Sequence, residues 1–172
     1  MEGIEIAAKL MELSAVTAPK SKGVSFVQTR ILTGESLQKL ADEMVRFGER
    51  NGKKDFDRDA KGVARSRAIV LIGLKGARAV GLDCGACGYP DCKRFEQQAK
   101  KEKEFAGPTC AFRLLDMGIA LGSAVKTASM LNVDNRIMYR IGTVARAMKM
   151  VDWDFVIGIP LSATGKNIFF DR

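Results

Sequence analysis

All four cysteines of this chain lie between positions 84 and 110. Three are grouped in Cys84-Gly85-Ala86-Cys87-Gly88-Tyr89-Pro90-Asp91-Cys92, and the fourth, Cys110, follows Gly107-Pro108-Thr109. The intervals between them are two, four and seventeen residues, and the chain holds no histidine. Any metal site built here is therefore all-thiolate, or thiolate with oxygen. Three readings stand. A disulfide pair is disfavoured, because a tight cysteine cluster without secretory context is more often metal-binding or catalytic. Structural zinc sites usually show two separated CxxC-type knuckles, whereas here only Cys84 and Cys87 have that spacing. Three grouped cysteines and one distant one is a spacing that iron–sulfur clusters use. Gly85 and Gly88 allow the backbone a positive φ and bring N–H groups near sulfur. Pro90 and Pro108 stiffen the approaches to Cys92 and Cys110.

The motif Cys84-Gly-x-Cys87-Gly-Tyr-Pro-x-Cys92, with the later Gly-Pro-x-Cys110, resembles the small four-cysteine [4Fe-4S] domain found in corrinoid iron–sulfur proteins and in an electron-transport component of Rnf-type complexes. The resemblance covers residues 82–112. It implies that Cys84, Cys87, Cys92 and Cys110 all bind one cluster.

At 172 residues, 47% hydrophobic and 28% charged, the chain is expected to form one domain with a substantial core. Residues 82–112 are expected to form a cluster-binding module inserted in it. No apolar run reaches the ~18 residues a membrane span needs. The opening Met1-Glu2-Gly3-Ile4-Glu5 is acidic, unlike a signal peptide, so the expectation is a cytoplasmic protein without membrane association. The net charge is +8. Basic residues are densest at 46–67 and 93–103, but aromatics are not interleaved with them, which argues against nucleic acid. An acidic electron carrier such as a ferredoxin or flavodoxin fits this charge, and Lys93 and Arg94 are placed to stabilise an anionic cluster.

Periodicity predicts a helix over 3–16 with Ile6, Ala7, Leu10 and Leu13 at helical spacing, and a strand over 24–32. A second helix follows, capped by Thr33 and burying Leu37, Leu40, Met44 and Phe47. After a polar connection over 53–56, a short helix is expected over 57–66. The apolar run 68–73 reads as a strand buried on both faces. Residues 77–82 are expected to be extended and 93–104 to form a polar helix. Residues 112–131 are expected to form the central buried helix, thinned for close packing by Gly118 and Gly122. Asp134 is expected to cap another helix, carrying Ile137, Met138 and Ile141. A strand over 155–159 should end at Pro160, and Ile168-Phe169-Phe170 is a candidate added strand. The fold class is α+β, a sheet flanked by helices with a small cysteine-rich appendage.

The order of elements outside the cysteines resembles the flavin-dependent nitroreductase family. The matching pieces are Ala18-Pro19-Lys20-Ser21, Lys39-Leu40-Ala41, and residues 69–73, 116–127 and 156–160. The resemblance implies the nitroreductase fold, FMN and a homodimer. The arginine-rich stretch and the Asn-x-Gln-Pro-Trp stretch of that family have no counterparts here, so Lys20, Lys22 and Lys166 are the candidate contacts for a flavin phosphate. The two resemblances, with the ending Ile157-Gly-Ile-Pro-Leu-Ser-x-x-Gly-Lys-Asn-Ile-Phe-Phe-Asp-Arg172, are together similar to a prokaryotic family of ferredoxin domain-containing proteins of unknown function.

Residues 162–167, Ser-Ala-Thr-Gly-Lys-Asn, fail the phosphate-loop pattern and read as a polar loop. Without histidine, Ser-His-Asp and Cys-His catalysis are excluded. No carboxylate pair stands out as an acid–base couple. Two functions follow. The first is an iron–sulfur redox protein with one [4Fe-4S] cluster, its electron transfer coupled to a flavin-dependent reduction. The alternative is a zinc-stabilised interaction module that binds nucleic acid or an acidic protein through its basic surface.

Overall fold

The computed structural model describes residues 2–170. Its centre is the apolar run anticipated as a doubly buried strand. β2, Ala68–Leu74, is buried at every position. It lies between β1, Val27–Thr33, and β6, Phe155–Ser162, and pairs antiparallel with both. A two-residue edge strand, β5 (Asp134–Asn135), completes the order β1-β2-β6-β5. β2 lacks the usual alternation because helices cover both faces of the sheet. Val70, Ile72 and Leu74 pack with α1, Glu2–Thr17, and α5, Ala111–Met130. Ile69 and Leu71 pack on the other side with α2, Glu35–Arg50, α3, Phe56–Ala64, and α6, Tyr139–Ala147. The α+β class is as expected, in three layers with an antiparallel sheet in the middle.

Several elements differ from their expectation for physical reasons. In α1 the buried residues are Ile4, Ala7, Ala8, Met11 and Ala15, while Ile6, Leu10 and Leu13 face outward. Small residues bring α1 close to α5, where the Ser14 and Thr127 hydroxyls meet at 2.6 Å. α5 is likewise not central. It buries one stripe (Met117, Ala120, Ala124, Ala128), and Gly118 and Gly122 have open space above them. Thr33 ends β1 and does not cap α2, whose N-cap is Gly34 at φ 60°. Phe56, expected in a polar connection, begins α3 and is fully buried.

Asp134 pairs with Ser162 in the sheet, and α6 starts later, after Met138. β6 continues through Pro160. Gly158 exchanges hydrogen bonds with Met138, and Ser162 lies opposite Asp134. Pro160 therefore faces the gap between these two pairings, where the N–H it lacks has no partner to meet. Residues 77–82 form no strand. The polar helix expected over 93–104 shrinks to α4, Cys92–Glu96, with Phe95 its only buried residue; a helix without an apolar stripe has nothing to hold it longer. The chain then forms a small hairpin of β3, Lys101–Glu102, and β4, Ala106–Gly107. Ile168 and Phe169 are buried against the α2–α6 layer without forming a strand.

α6 approaches β6 through two glycines. A Cβ on Gly142 would overlap the Val156 carbonyl, and one on Gly158 would overlap Ile141.

Candidate metal centre

The chain leaves β2 at Leu74 and re-enters the layered core at α5, and the cysteines occupy the excursion between them. The excursion has its own small core of Val80, Phe95 and Cys110, with Ala79, Cys87, Tyr89 and Phe112 packed against it. Tyr89 and Phe95 meet edge to face. Local hydrogen bonds fix the path. The Cys92 N–H donates to Asp83 Oδ1 (2.8 Å), the Arg94 N–H to Asp91 Oδ1 (2.7 Å) and the Ala79 N–H to Glu96 Oε1 (3.0 Å). Gly85 (φ 70°) and Gly88 (φ 84°) turn the chain between the grouped cysteines.

All four thiols are free, and all four line one small hollow with Asp83, Asp91, Tyr89 and Phe112. Its water-accessible volume is about 10 Å³. Cys84 is the exposed member and Cys110 the buried one. Cys110 is the N-cap of the long α5, and its side chain makes no capping hydrogen bond there. Among the described residues, no group of three or more Cys, Asp or Glu is arranged to hold a metal ion. One tetrahedral zinc would draw its sulfurs to within about 3.8 Å of each other, from a zinc–sulfur distance of ~2.3 Å. Four thiols without histidine are the donor set of an all-thiolate centre, but the hollow is too small for one as it stands, so the glycine-flanked thiols on the exposed side must swing outward to admit it. Lys93 and Arg94 are exposed, and Arg94 pairs with Asp91 at 3.5 Å.

The three lysines considered for a flavin phosphate do not form one site. The Lys20 ammonium donates to the carbonyls of Ala15, Val16 and Ala18, closing the end of α1. Burial pushes its pKa below the ordinary lysine value, with Asp116 opposing that shift. Lys22 Nζ reaches Gly81 O at 3.4 Å, beside the entry to the cysteine loop. Lys166 follows the Ser162 end of β6, whereas Lys20 and Lys22 precede the Val27 end of β1. Val27 aligns across the sheet with Leu74 and Phe155, so the two groups flank opposite ends of strands about 20 Å long.

The sequence reading missed a buried charge network one turn past Cys110. Arg113 and Asp116 are each 3% exposed and pair at 3.0 Å. Arg113 also donates to the carbonyls of Arg78, Ser21 and Val24. Asp116 Oδ1 accepts from the N–H and the hydroxyl of Ser21, both at 2.8 Å. Two opposite charges three residues apart on the apolar stripe of a helix were the available signal. The network ties the start of the cysteine excursion, the turn after α1 and the helix that begins at Cys110.

Residues 106–172 match the family described as "Uncharacterized protein containing a ferredoxin domain"; of the four cysteines, that stretch includes Cys110. A protein of Archaeoglobus fulgidus is 52% identical over 171 residues, covering 99% of this chain and 92% of its own length. Among solved structures, the chain is similar to a nitroreductase family protein from Clostridium novyi (TM-score 0.57, 14% identity, 95% of this chain and 77% of that one). It is also similar to a nitroreductase with bound FMN from Desulfitobacterium hafniense (0.59, 10%, 93% and 78%). A third is the FMN-dependent nitroreductase from Mycobacterium smegmatis in complex with NADPH (0.60, 11%, 96% and 81%). At these identities the likeness shows the nitroreductase-like fold.

Proposed function

The chain belongs to one family with the Archaeoglobus fulgidus protein, and from that membership and the ferredoxin-domain match we propose that it is an iron–sulfur redox protein holding one [4Fe-4S] cluster on Cys84, Cys87, Cys92 and Cys110. The observation that carries this reading is that four free thiols from two separate stretches line one hollow at the start of α5. When bound, such a cluster supplies one-electron transfer. The chain's own part is to hold the thiolates, to shield one side with Phe95, Phe112 and Val80, and to leave Cys84 toward solvent as the side of electron entry. The exposed Lys93, Lys101 and Lys103 suit an acidic one-electron carrier as partner. A cytoplasmic location, where thiols stay reduced, belongs to the same reading. FMN, named for the solved relatives, would be a two-electron partner. Lys20, Lys22 and Lys166 do not make one phosphate site for it, so the electron path is assigned to the cluster alone.

Anaerobic purification followed by a visible spectrum and metal analysis tests this. Broad absorbance near ~400 nm that dithionite bleaches, with about four iron and four sulfide per chain, is expected. Stoichiometric zinc without colour would replace the proposal with a zinc-stabilised interaction module. Flavin bands in the same spectrum would add the second cofactor.

We also propose that the chain is a homodimer through the outer faces of α1 and α5. No helix among the described residues is long and apolar enough to cross a membrane. Yet Ile6, Leu10, Leu13 (59% exposed), Val16, Leu115, Ile119 and Met130 (74% exposed) stand on these two adjacent helices. Gly118 and Gly122 leave open space on α5 for a close approach. Large apolar patches on a surface mark interaction sites, and a two-fold axis would set these two helix faces against themselves. Sedimentation should give a dimer that Leu13→Glu dissociates. A wild-type monomer at high micromolar concentration would refute it.

A further inference from the structure

A second site lies away from the cysteines. The C-terminal end of α2, the outer side of α6 and the β3–β4 hairpin enclose a cleft of about 470 Å³, within the usual range for small-molecule sites. Phe47 and Ala147 give it apolar surface, Lys53, just past α2, and Arg146 of α6 line it, and Glu102, Lys103 and Glu104 line it from the hairpin. Thr143 is also in its wall. It is 1% exposed, and its Oγ1 has no hydrogen-bond partner among the described residues. A buried hydroxyl in that state costs free energy, and native proteins rarely leave one without a purpose or a bound partner.

The charges around the hydroxyl are unevenly matched. Lys53 pairs with Glu104, and Arg146 pairs with Glu102 at 2.8 Å while also donating to the carbonyls of Glu104 and Trp153. Lys103 pairs with no carboxylate among the described residues. Three cations against two carboxylates leave the cleft one positive charge in excess. We propose that this cleft binds a small organic anion, with one carboxylate or phosphate group beside Lys103, to which a χ1 rotation of Thr143 turns the shielded hydroxyl, and an apolar body against Phe47 and Ala147. A free inorganic ion would leave most of the volume empty. The site shares no residue with the thiol-lined hollow, so its fate does not depend on the cluster.

The test is calorimetric titration of the full chain, as purified anaerobically, with benzoate and separately with phenyl phosphate. Saturable one-site binding of at least one probe is expected, and the tighter of the two identifies the head group. Lys103→Glu should weaken binding at least about tenfold, by the loss and reversal of the uncompensated charge, and Thr143→Val about fivefold or more. Thr143→Val should melt at or above the wild-type temperature, because it removes an unpaired hydroxyl without changing shape. Lys61→Glu, on the exposed side of α3, should bind as wild type. Absence of saturable binding by both probes would overturn the proposal. So would affinities unchanged in both cleft variants, or an equal loss in Lys61→Glu.

Discussion

The Arg113–Asp116 network allows a quantitative test of what holds the cysteine excursion to the core. Asp116→Asn keeps the shape and removes the charge. Removing one partner of a buried ion pair costs about 3–5 kcal/mol. Arg113 retains three carbonyl acceptors, from Arg78, Ser21 and Val24, which draws the cost to the lower end. Against that, the N–H and hydroxyl of Ser21 lose an anionic acceptor, and hydrogen bonds to charged groups contribute about 1.5–3 kcal/mol each, part of which the Asn oxygen restores. A net loss of about 3–4 kcal/mol follows, a large share of the ~5–15 kcal/mol of an ordinary domain.

With a urea dependence near ~2 kcal/mol/M, the midpoint should fall by about 1.5–2 M. Trp153, the one tryptophan, is buried in the opposite layer and reports global unfolding. Hydrogen exchange at the Ser21 amide reports the local effect. The control is Glu35→Gln, which breaks the exposed Glu35–Lys39 pair and should cost no more than about 0.5 kcal/mol. A midpoint for Asp116→Asn within ~0.5 M of wild type would show that the network does not fasten these segments.

Other changes have equally definite outcomes. Gly142→Ala puts a methyl into the Val156 carbonyl and forces α6 away from β6; thermal melting should show a loss of at least about 1–3 kcal/mol. Phe56→Ala empties a fully buried ring site packed near Phe47 and Tyr139 and should cost about 3–5 kcal/mol by denaturant titration. Lys20→Met removes three hydrogen bonds from the last turn of α1 and should lower stability by about 1–2 kcal/mol at neutral pH. Burial lowers the Lys20 pKa in the folded chain, so between that value and the ordinary lysine value the unfolded chain binds more protons. Wild-type stability should therefore gain with rising pH in that window relative to Lys20→Met, as paired melts at neutral and alkaline pH would show.

What the sequence revealed depended on whether the deciding contact was local. β2 was legible because seven buried residues in a row need cover on both faces. The grouping of the four cysteines was legible because their spacing is covalent information, and the fold brings Cys110 to the hollow lined by the other three. The facing of α1 was not, because Ile6, Leu10 and Leu13 form as regular a stripe as the buried Ile4, Ala7, Met11 and Ala15. Only the close approach to α5 selects the small-residue stripe. The passage of β6 through Pro160 depends on a gap in the neighbouring strand, and that gap is absent from the local sequence. The cleft at Thr143 draws on three elements far apart in the chain, and no motif marks it.

α5 joins the two halves of the proposed function, and their independence can be tested. Cys110 is the N-cap of the helix, and Leu115, at the edge of the proposed dimer face, lies about 7.5 Å further along the axis at 1.5 Å per residue. A face so close to Cys110 raises the question whether the second copy completes the proposed metal centre. On the proposed ligand set it does not, because all four thiols line one hollow within one chain and the Phe95–Phe112 cover is also internal. Leu13→Glu on α1, which contacts neither the cysteines nor their small core, should therefore yield a monomer that still carries about four iron and four sulfide with the ~400 nm band intact. Loss of iron in parallel with dissociation would show that the partner copy shields or completes the site, and the one-chain reading of the metal centre would have to be given up.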